Sequence, residues 1–383
     1  MKFFRYDLPD LSTDEERLKW VRAFRPSFVG AVHSFLYKVR YAFIARKPRL
    51  IMGLIKRLVL SLLGRKGMLR GADVAVGYEC NLSCAHCNVT TMIQKDNHRM
   101  TFDEYRDAFL QLRQMGAISY TFTGGEPTLY DELPEIIRAF DPKGSLIFVQ
   151  TNGMLLTDEK LKELADAGVD ILYTSADSLH DGQVGEGVDF EAKESLIKRA
   201  RWFGLNILFV TVVTPENLRS EELEEIIRFM RERKIMLIMN VPIPLGEWSG
   251  NKDMMLSPDD QVYLRYLTET HPNVRLDLES NFFSYGCPAF KERLYLSPYG
   301  DVLGCTFLQI GFGNLRDMPV SAIRDKGMST PPFNRYLPQC PAGEDSDFYN
   351  RYLPLAAGRK RMPIEYGEIF DEAEVGAAES VET

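Results

Sequence analysis

The chain has 383 residues, with 46 Lys or Arg against 54 Asp or Glu and a formal net charge of −8. Its 45% hydrophobic and 26% charged residues form a globular composition that excludes wholesale disorder, and its length calls for one large domain with additions or for two domains. The charge is unevenly divided, because residues 21–70 hold twelve cations and no acid, which leaves −20 for the remainder.

The first elements in chain order lie in that basic segment. Pro26 to Tyr37 and Leu50 to Gly64 are rich in Phe, Leu, Ile and Val. Neither reaches the roughly 20 apolar residues that span a bilayer, and Lys56 with Arg57 interrupts the second. Five acids precede the apolar part and no small-residue cleavage site ends it, so a secretion signal is not expected. On a helical projection Ile51, Leu54, Ile55, Leu58 and Leu62 share one face, while Arg49, Lys56 and Arg57 fall elsewhere. This is the build of a helix lying in a lipid interface, with cations toward anionic head groups. The alternative is a pair of helices packed on the main body with a solvated basic face. The expected location is the cytoplasm, peripheral on the inner face of the membrane, with residues 21–70 meeting an anionic surface. The segment is aliphatic and poor in polar readers, so nucleic acid is not an expected partner.

From Ala72 onward short β-branched runs alternate with amphipathic stretches. Strands are predicted at Ala72 to Tyr78, Ile118 to Thr123, Leu146 to Thr151, Asp170 to Ser175, Asn206 to Val213 and Ile235 to Val241. Thr101 with Glu104, Thr157, and Ser257 with Pro258 mark helix starts. Strands separated by single helices imply an α/β fold with a parallel sheet and right-handed crossovers, whose ligands bind at the strand C-terminal ends.

The loop after the first strand carries Cys80, Cys84 and Cys87 in C-x3-C-x2-C spacing, with His86 beside the last. Cysteines in a chain without a secretion signal point to metal or redox use. Three thiolates suit an iron-sulfur cluster with one iron left open, whereas structural zinc wants a fourth ligand. His86 is placed too close to Cys87 to share one ion without strain. The next strand end reads Thr123-Gly124-Gly125-Glu126-Pro127, where paired glycines let backbone approach a ligand and a carboxylate can accept from a cationic amine.

With these motifs the sequence resembles the radical S-adenosylmethionine (radical SAM) superfamily, whose cysteine motif C-x3-C-x-φ-C stands here with His86 at φ. The resemblance runs from about residue 72 to about residue 250. It implies a partial (β/α)6 TIM-type barrel in which the three cysteines hold a 4Fe-4S cluster that binds S-adenosylmethionine. Reductive cleavage of that cofactor then gives a 5′-deoxyadenosyl radical, which takes hydrogen from a substrate. It implies further that His86 lies near the adenine and that Gly124, Gly125, Glu126 and Pro127 receive the methionyl amine. Asn152 stands in a matching Thr-Asn-Gly element, and Ser175, Asp177 and Ser178 occupy the place of ribose and carboxylate contacts. A reductant such as flavodoxin or ferredoxin is implied as a partner. No general base can be named from the sequence.

The remaining thiols are Cys287, Cys305 and Cys340. Ser297-Pro298-Tyr299-Gly300-Asp301 predicts a hairpin turn between strands at Arg293 to Leu296 and Val302 to Leu303, which brings Cys287 and Cys305 toward one another. This arrangement is similar to the start of SPASM and twitch domains, which hold auxiliary iron-sulfur clusters. Three cysteines set a ceiling of one auxiliary cluster, whose fourth position is open, filled by another residue, or taken by an external ligand. Buried free cysteines, or a zinc site completed by oxygen or nitrogen, are the competing readings.

The expected organisation is a basic amphipathic helical segment over 1–70, a radical SAM core over 71–256, a linking helix with a small twitch-like domain over 257–358, and a disordered tail over 359–383. The expected activity is hydrogen abstraction from a membrane-associated, lipid- or isoprenoid-like substrate. The first alternative is modification of a ribosomally synthesised peptide, and the second is a zinc-bound scaffold without enzymatic activity.

Overall fold

Apolar β-branched runs and capped amphipathic stretches combine into one long sheet in the computed structural model of the chain, which describes residues 7–28, 30–32, 36, 47–63, 68–94, 97–177, 188–278, 285–356, 359 and 362–370. Seven strands lie parallel and in chain order: β1 Gly71–Gly77, β2 Ser119–Gly124, β3 Leu146–Thr151, β4 Ile171–Ser175, β5 Asn206–Val212, β6 Leu237–Asn240 and β7 Val274–Leu276. The six expected strands fall within two residues of the first six observed.

The crossover helices begin where the sequence marks them. Thr101 and Glu104 form a reciprocal capping box for Phe102–Gln114, and Ser257 does the same with Asp260 for Pro258–Thr270. Thr157 caps Asp158–Ala167, which ends at Gly168 with a φ of +97°. A large apolar core fills the space between these helices and one face of the sheet. A smaller cluster of Ile171, Leu208 and Met236, joined by Phe148, Tyr173 and Ile238, occupies the opposite face through the two-residue alternation of the strands. Beside it Arg293 bonds Asp73 at 2.8 Å and Thr121 at 2.9 Å.

The barrel is open. The sheet continues past β1 instead of closing on β7: β8 Arg293–Leu296 pairs parallel with β1, and the hairpin partner β9 Asp301–Leu303 then pairs with β11 Gly313–Asn314. The C-terminal hairpin therefore extends the barrel sheet itself. Short strands β10 Ile310–Gly311 and β12 Ile364–Glu365 make a separate pair.

Two findings differ from the sequence reading. The folded region runs on to Phe370, past the expected tail boundary at 359, because Ile364, Tyr366 and Phe370 pack on the aromatic cluster of Phe312 and Phe333. The rest of the expected tail, residues 371–383, lies outside the described residues. In the helix Pro48–Leu62 the expected apolar face is divided: Ile51, Leu54 and Leu58 are half-buried, while Ile55 and Leu62 are exposed. Leu50 and Arg57 turn inward, Arg57 bonding the carbonyl oxygens of Leu69, Gly116 (3.1 Å) and Met68 (2.6 Å). Met52, Ile55, Val59, Leu62 and Leu63 are left exposed. Arg57 is thus a buried anchor and not part of a solvated basic face, because a guanidinium can satisfy several carbonyls at once. Among the described residues no helix is long and apolar enough to cross a membrane.

Candidate active site and thiol cavity

The cysteine loop leaves β1 at its C-terminal end, and its shape is set by the neighbouring strand ends. The Cys87 amide donates to the Cys84 carbonyl at 3.0 Å, and the Leu82 amide points at Cys80 Sγ at 3.4 Å. Cys80 is exposed while Cys84 and Cys87 are half-buried. Burial raises the Cys87 thiol above its ordinary value, and Cys80 is close enough to add to that shift. Three thiols on one rim loop, partly open to ligands, form a donor set that suits iron.

Gly124 and Gly125 lie directly beneath this loop. Gly124 has a φ of +136°, and a Cβ there would meet the Gly77 oxygen at 1.9 Å. A Cβ on Gly125 would stand 2.3 Å from the Glu79 oxygen. The close approach that these glycines permit is to the backbone leading into the cysteines. The amides of Gly125 and Glu126 then donate to Gly77 and Glu79, both at 2.9 Å.

Glu126 is fully buried. Its carboxylate accepts from the Thr128 amide at 3.0 Å, the Thr151 hydroxyl at 2.8 Å and the Asn152 amide at 2.8 Å. The Thr128 hydroxyl also donates to it, and Pro127 opens the short turn that follows. Asn152 in turn donates to the Asn81 side-chain oxygen at 2.9 Å and lies 3.9 Å from Cys80 Sγ. Glu126 thus ties the ends of β2 and β3 together under the cysteine loop.

Farther along the rim, Ser175 and Asp177 are buried, and the Val212 amide donates to the Asp177 carboxylate at 3.1 Å. Ser178 lies outside the described residues. The His86 ring packs against Trp248 with centroids 5.8 Å apart. Gly246, with a φ of +62°, sits where a Cβ would collide with the Cys87 oxygen at 1.9 Å. Trp248 carries no motif signal; only its place soon after the β6 end hints at the rim.

The second thiol set meets in space although its members are spread over 54 positions. Cys287 and Cys340 are buried, Cys305 is half-buried, and all three line one cavity of about 50 Å³. Burial raises all three thiols above their ordinary value, and Cys340 feels the other two. The Cys340 loop is pinned by Glu344, which accepts from the Cys340 amide at 2.8 Å and pairs with the fully buried Arg265. Among the described residues no three His, Cys, Asp or Glu converge closely enough for a single metal ion. The two thiol sets are bridged by backbone and amide contacts, Asn88 donating to the Thr306 carbonyl at 3.2 Å and Gln309 donating to the Asn88 carbonyl.

Residues 74–230 match the Radical SAM superfamily. The PqqA peptide cyclase of Bradyrhizobium diazoefficiens is 27% identical over 128 residues, which is 33% of this chain and 34% of that protein, so the chain matches about a third of the relative's length. Among solved structures, Streptococcus suis SuiB bound to precursor peptide SuiA superposes with a TM-score of 0.52 at 18% identity, covering 72% of this chain and 68% of that one. The AdoMet-bound anSMEcpe gives a TM-score of 0.50 at 18% identity, covering 70% and 80%. At these identities the structural likeness concerns the fold.

Proposed function

We propose that the chain, whose residues 74–230 match the Radical SAM superfamily, is a radical SAM enzyme that modifies a peptide substrate. The family's 4Fe-4S cluster and S-adenosylmethionine supply a radical that abstracts hydrogen; the protein orients the substrate and excludes water. In this reading Cys80, Cys84 and Cys87 hold the cluster, His86 and Trp248 border the nucleoside, and Asn152, Ser175 and Asp177 line the rim. The Gly124–Pro127 loop acts chiefly by positioning the cysteine loop, as the buried Glu126 suggests. Cys287, Cys305 and Cys340 hold one auxiliary iron-sulfur cluster. A zinc-bound scaffold without activity gives way to the family match.

The peptide reading takes precedence over the lipid substrate expected from the basic segment. It is supported by the identity to a protein named for its peptide substrate and by a fold shared with one solved with a precursor peptide. The exposed stripe of Met52, Ile55, Val59, Leu62 and Leu63, with exposed Lys56 beside it, favours an anionic membrane surface as the place of work. The reductant is proposed as a flavodoxin or ferredoxin.

The test is isotope transfer under anaerobic conditions. Reconstituted enzyme is supplied with S-adenosylmethionine, reductant and perdeuterated short peptides encoded beside its gene, or with deuterated membrane lipid extract. Deuterium in 5′-deoxyadenosine from the peptide, and a changed peptide mass, is the expected result. Transfer from lipid alone overturns the peptide reading.

A further inference from the structure

Asp277 follows β7 directly and borders the same cavity as Cys287, Cys305 and Cys340. It is the only carboxylate among the described residues that line it. The other charged lining residue, Arg293, is committed to Asp73 and Thr121 in the sheet. The Asp277 carboxylate is near enough to Cys287 and Cys305 for its charge to act on both thiols. Among the described residues no ion pair or side-chain hydrogen bond engages it, and Asn240 on the same cavity wall has a buried amide oxygen without a partner. Three thiolates satisfy three corners of a four-iron cluster and leave one iron needing an oxygen, nitrogen or sulfur donor.

We propose that Asp277 is the fourth protein ligand of the auxiliary cluster held by Cys287, Cys305 and Cys340, so that this centre has no position open to substrate. The inference rests on the auxiliary-cluster reading above and deepens it. A cluster closed by four protein ligands exchanges electrons, whereas one with an open iron can also bind substrate. The rival role for Asp277 is that of a counter-ion to Arg70 and Arg293, whose fields it also meets.

The experiment uses the full chain carrying Cys80→Ala, Cys84→Ala and Cys87→Ala, reconstituted anaerobically with iron and sulfide, so that only the second thiol set contributes. About four irons per chain are expected; finding none overturns the auxiliary cluster itself, a result distinct from failure of the Asp277 assignment. In this background Asp277→Ala is expected to lose one iron of the four on mild oxidation, with the paramagnetic signal of a three-iron cluster. Asp277→Cys is expected to retain all four and to shift the midpoint potential to more negative values, because a thiolate donates more charge than a carboxylate. An unchanged iron count, spectrum and potential in both variants overturns the proposal in favour of the counter-ion role. If the Ala variant does not fold, the potential of the Cys variant decides.

Discussion

The Glu126 carboxylate has no exposed surface, and every donor that reaches it comes from Thr128, Thr151 or Asn152. Local spacing shows a Gly-Gly-Glu-Pro loop but not that donors 25 and 26 positions away will close on the same carboxylate, so the sequence reading gives Glu126 to a ligand amine. The three cysteines of the first set are legible because their spacing is local. Trp248 is not, since its contact with His86 arises only when the β6 loop folds back on Cys87. A Gln at position 126 would turn an amide N–H toward the backbone N–H of Asn152 or of Thr128, which can only donate. Glu126→Gln is therefore expected to lower stability by about 2 kcal/mol and to loosen Asn152 from the cysteine loop. Denaturation of the reconstituted protein, with the yield of 5′-deoxyadenosine measured alongside, checks both effects; full stability with normal cleavage would show that the clamp is dispensable.

At the scale of the element, helix Pro48–Leu62 shows why amphipathic patterning alone misassigns a face. Its projection groups Ile51, Leu54, Ile55, Leu58 and Leu62, yet the side that meets the body is chosen by three carbonyls needing a donor, and Arg57 supplies it. The cost of burying that guanidinium is offset by its hydrogen bonds, and burial still lowers its pKa. The exposed apolar positions 52, 55, 59, 62 and 63 then run along the solvent side at helical spacing, while Ile51, Leu54, Leu58 and Leu60 are half-buried. Such a stripe gains roughly 1 to 2 kcal/mol for each large side chain that leaves water. Wild-type protein is expected to float with vesicles containing phosphatidylserine and to be released by high salt, whereas Ile55→Glu with Leu62→Glu should remain in the bottom fraction. Equal flotation of the two proteins, or none by the wild type, argues that the stripe meets a protein instead.

At the scale of the whole molecule, the basic segment and the acidic body are one electrostatic unit rather than two regions. The Ser27 amide donates to Glu269, Arg49 faces Asp141 at 3.3 Å, and Lys47 reaches Asp170 at 2.5 Å while also bonding the Ser145 and Gly168 carbonyls. The charge division is plain in the sequence, but which cation neutralises which acid depends on the sheet, because Asp170 is placed by donation from the Ile147 amide on β3. The strand order is readable from alternation, whereas the pairing of β8 with β1 is not, since it joins segments more than 200 positions apart. Lys47 and Asp170 are 16% and 5% exposed, and burial outweighs the cation, raising the Asp170 carboxyl from 3.8 to about 6. The folded state therefore holds this proton more tightly than the unfolded chain. Its contribution is fully present below about pH 4, shrinks as pH rises, and is lost above about pH 6, amounting to about 2–3 kcal/mol. This is opposite in sign to an ordinary ion-paired carboxylate. Asp170→Asn removes the titration, so the stability of the variant relative to wild type should rise between pH 4.5 and 6.5, even though losing the partner of Lys47 lowers its absolute value. Denaturant unfolding of both proteins across that range measures the slope, and a difference that falls with pH would mean that the Lys47 charge dominates the buried site.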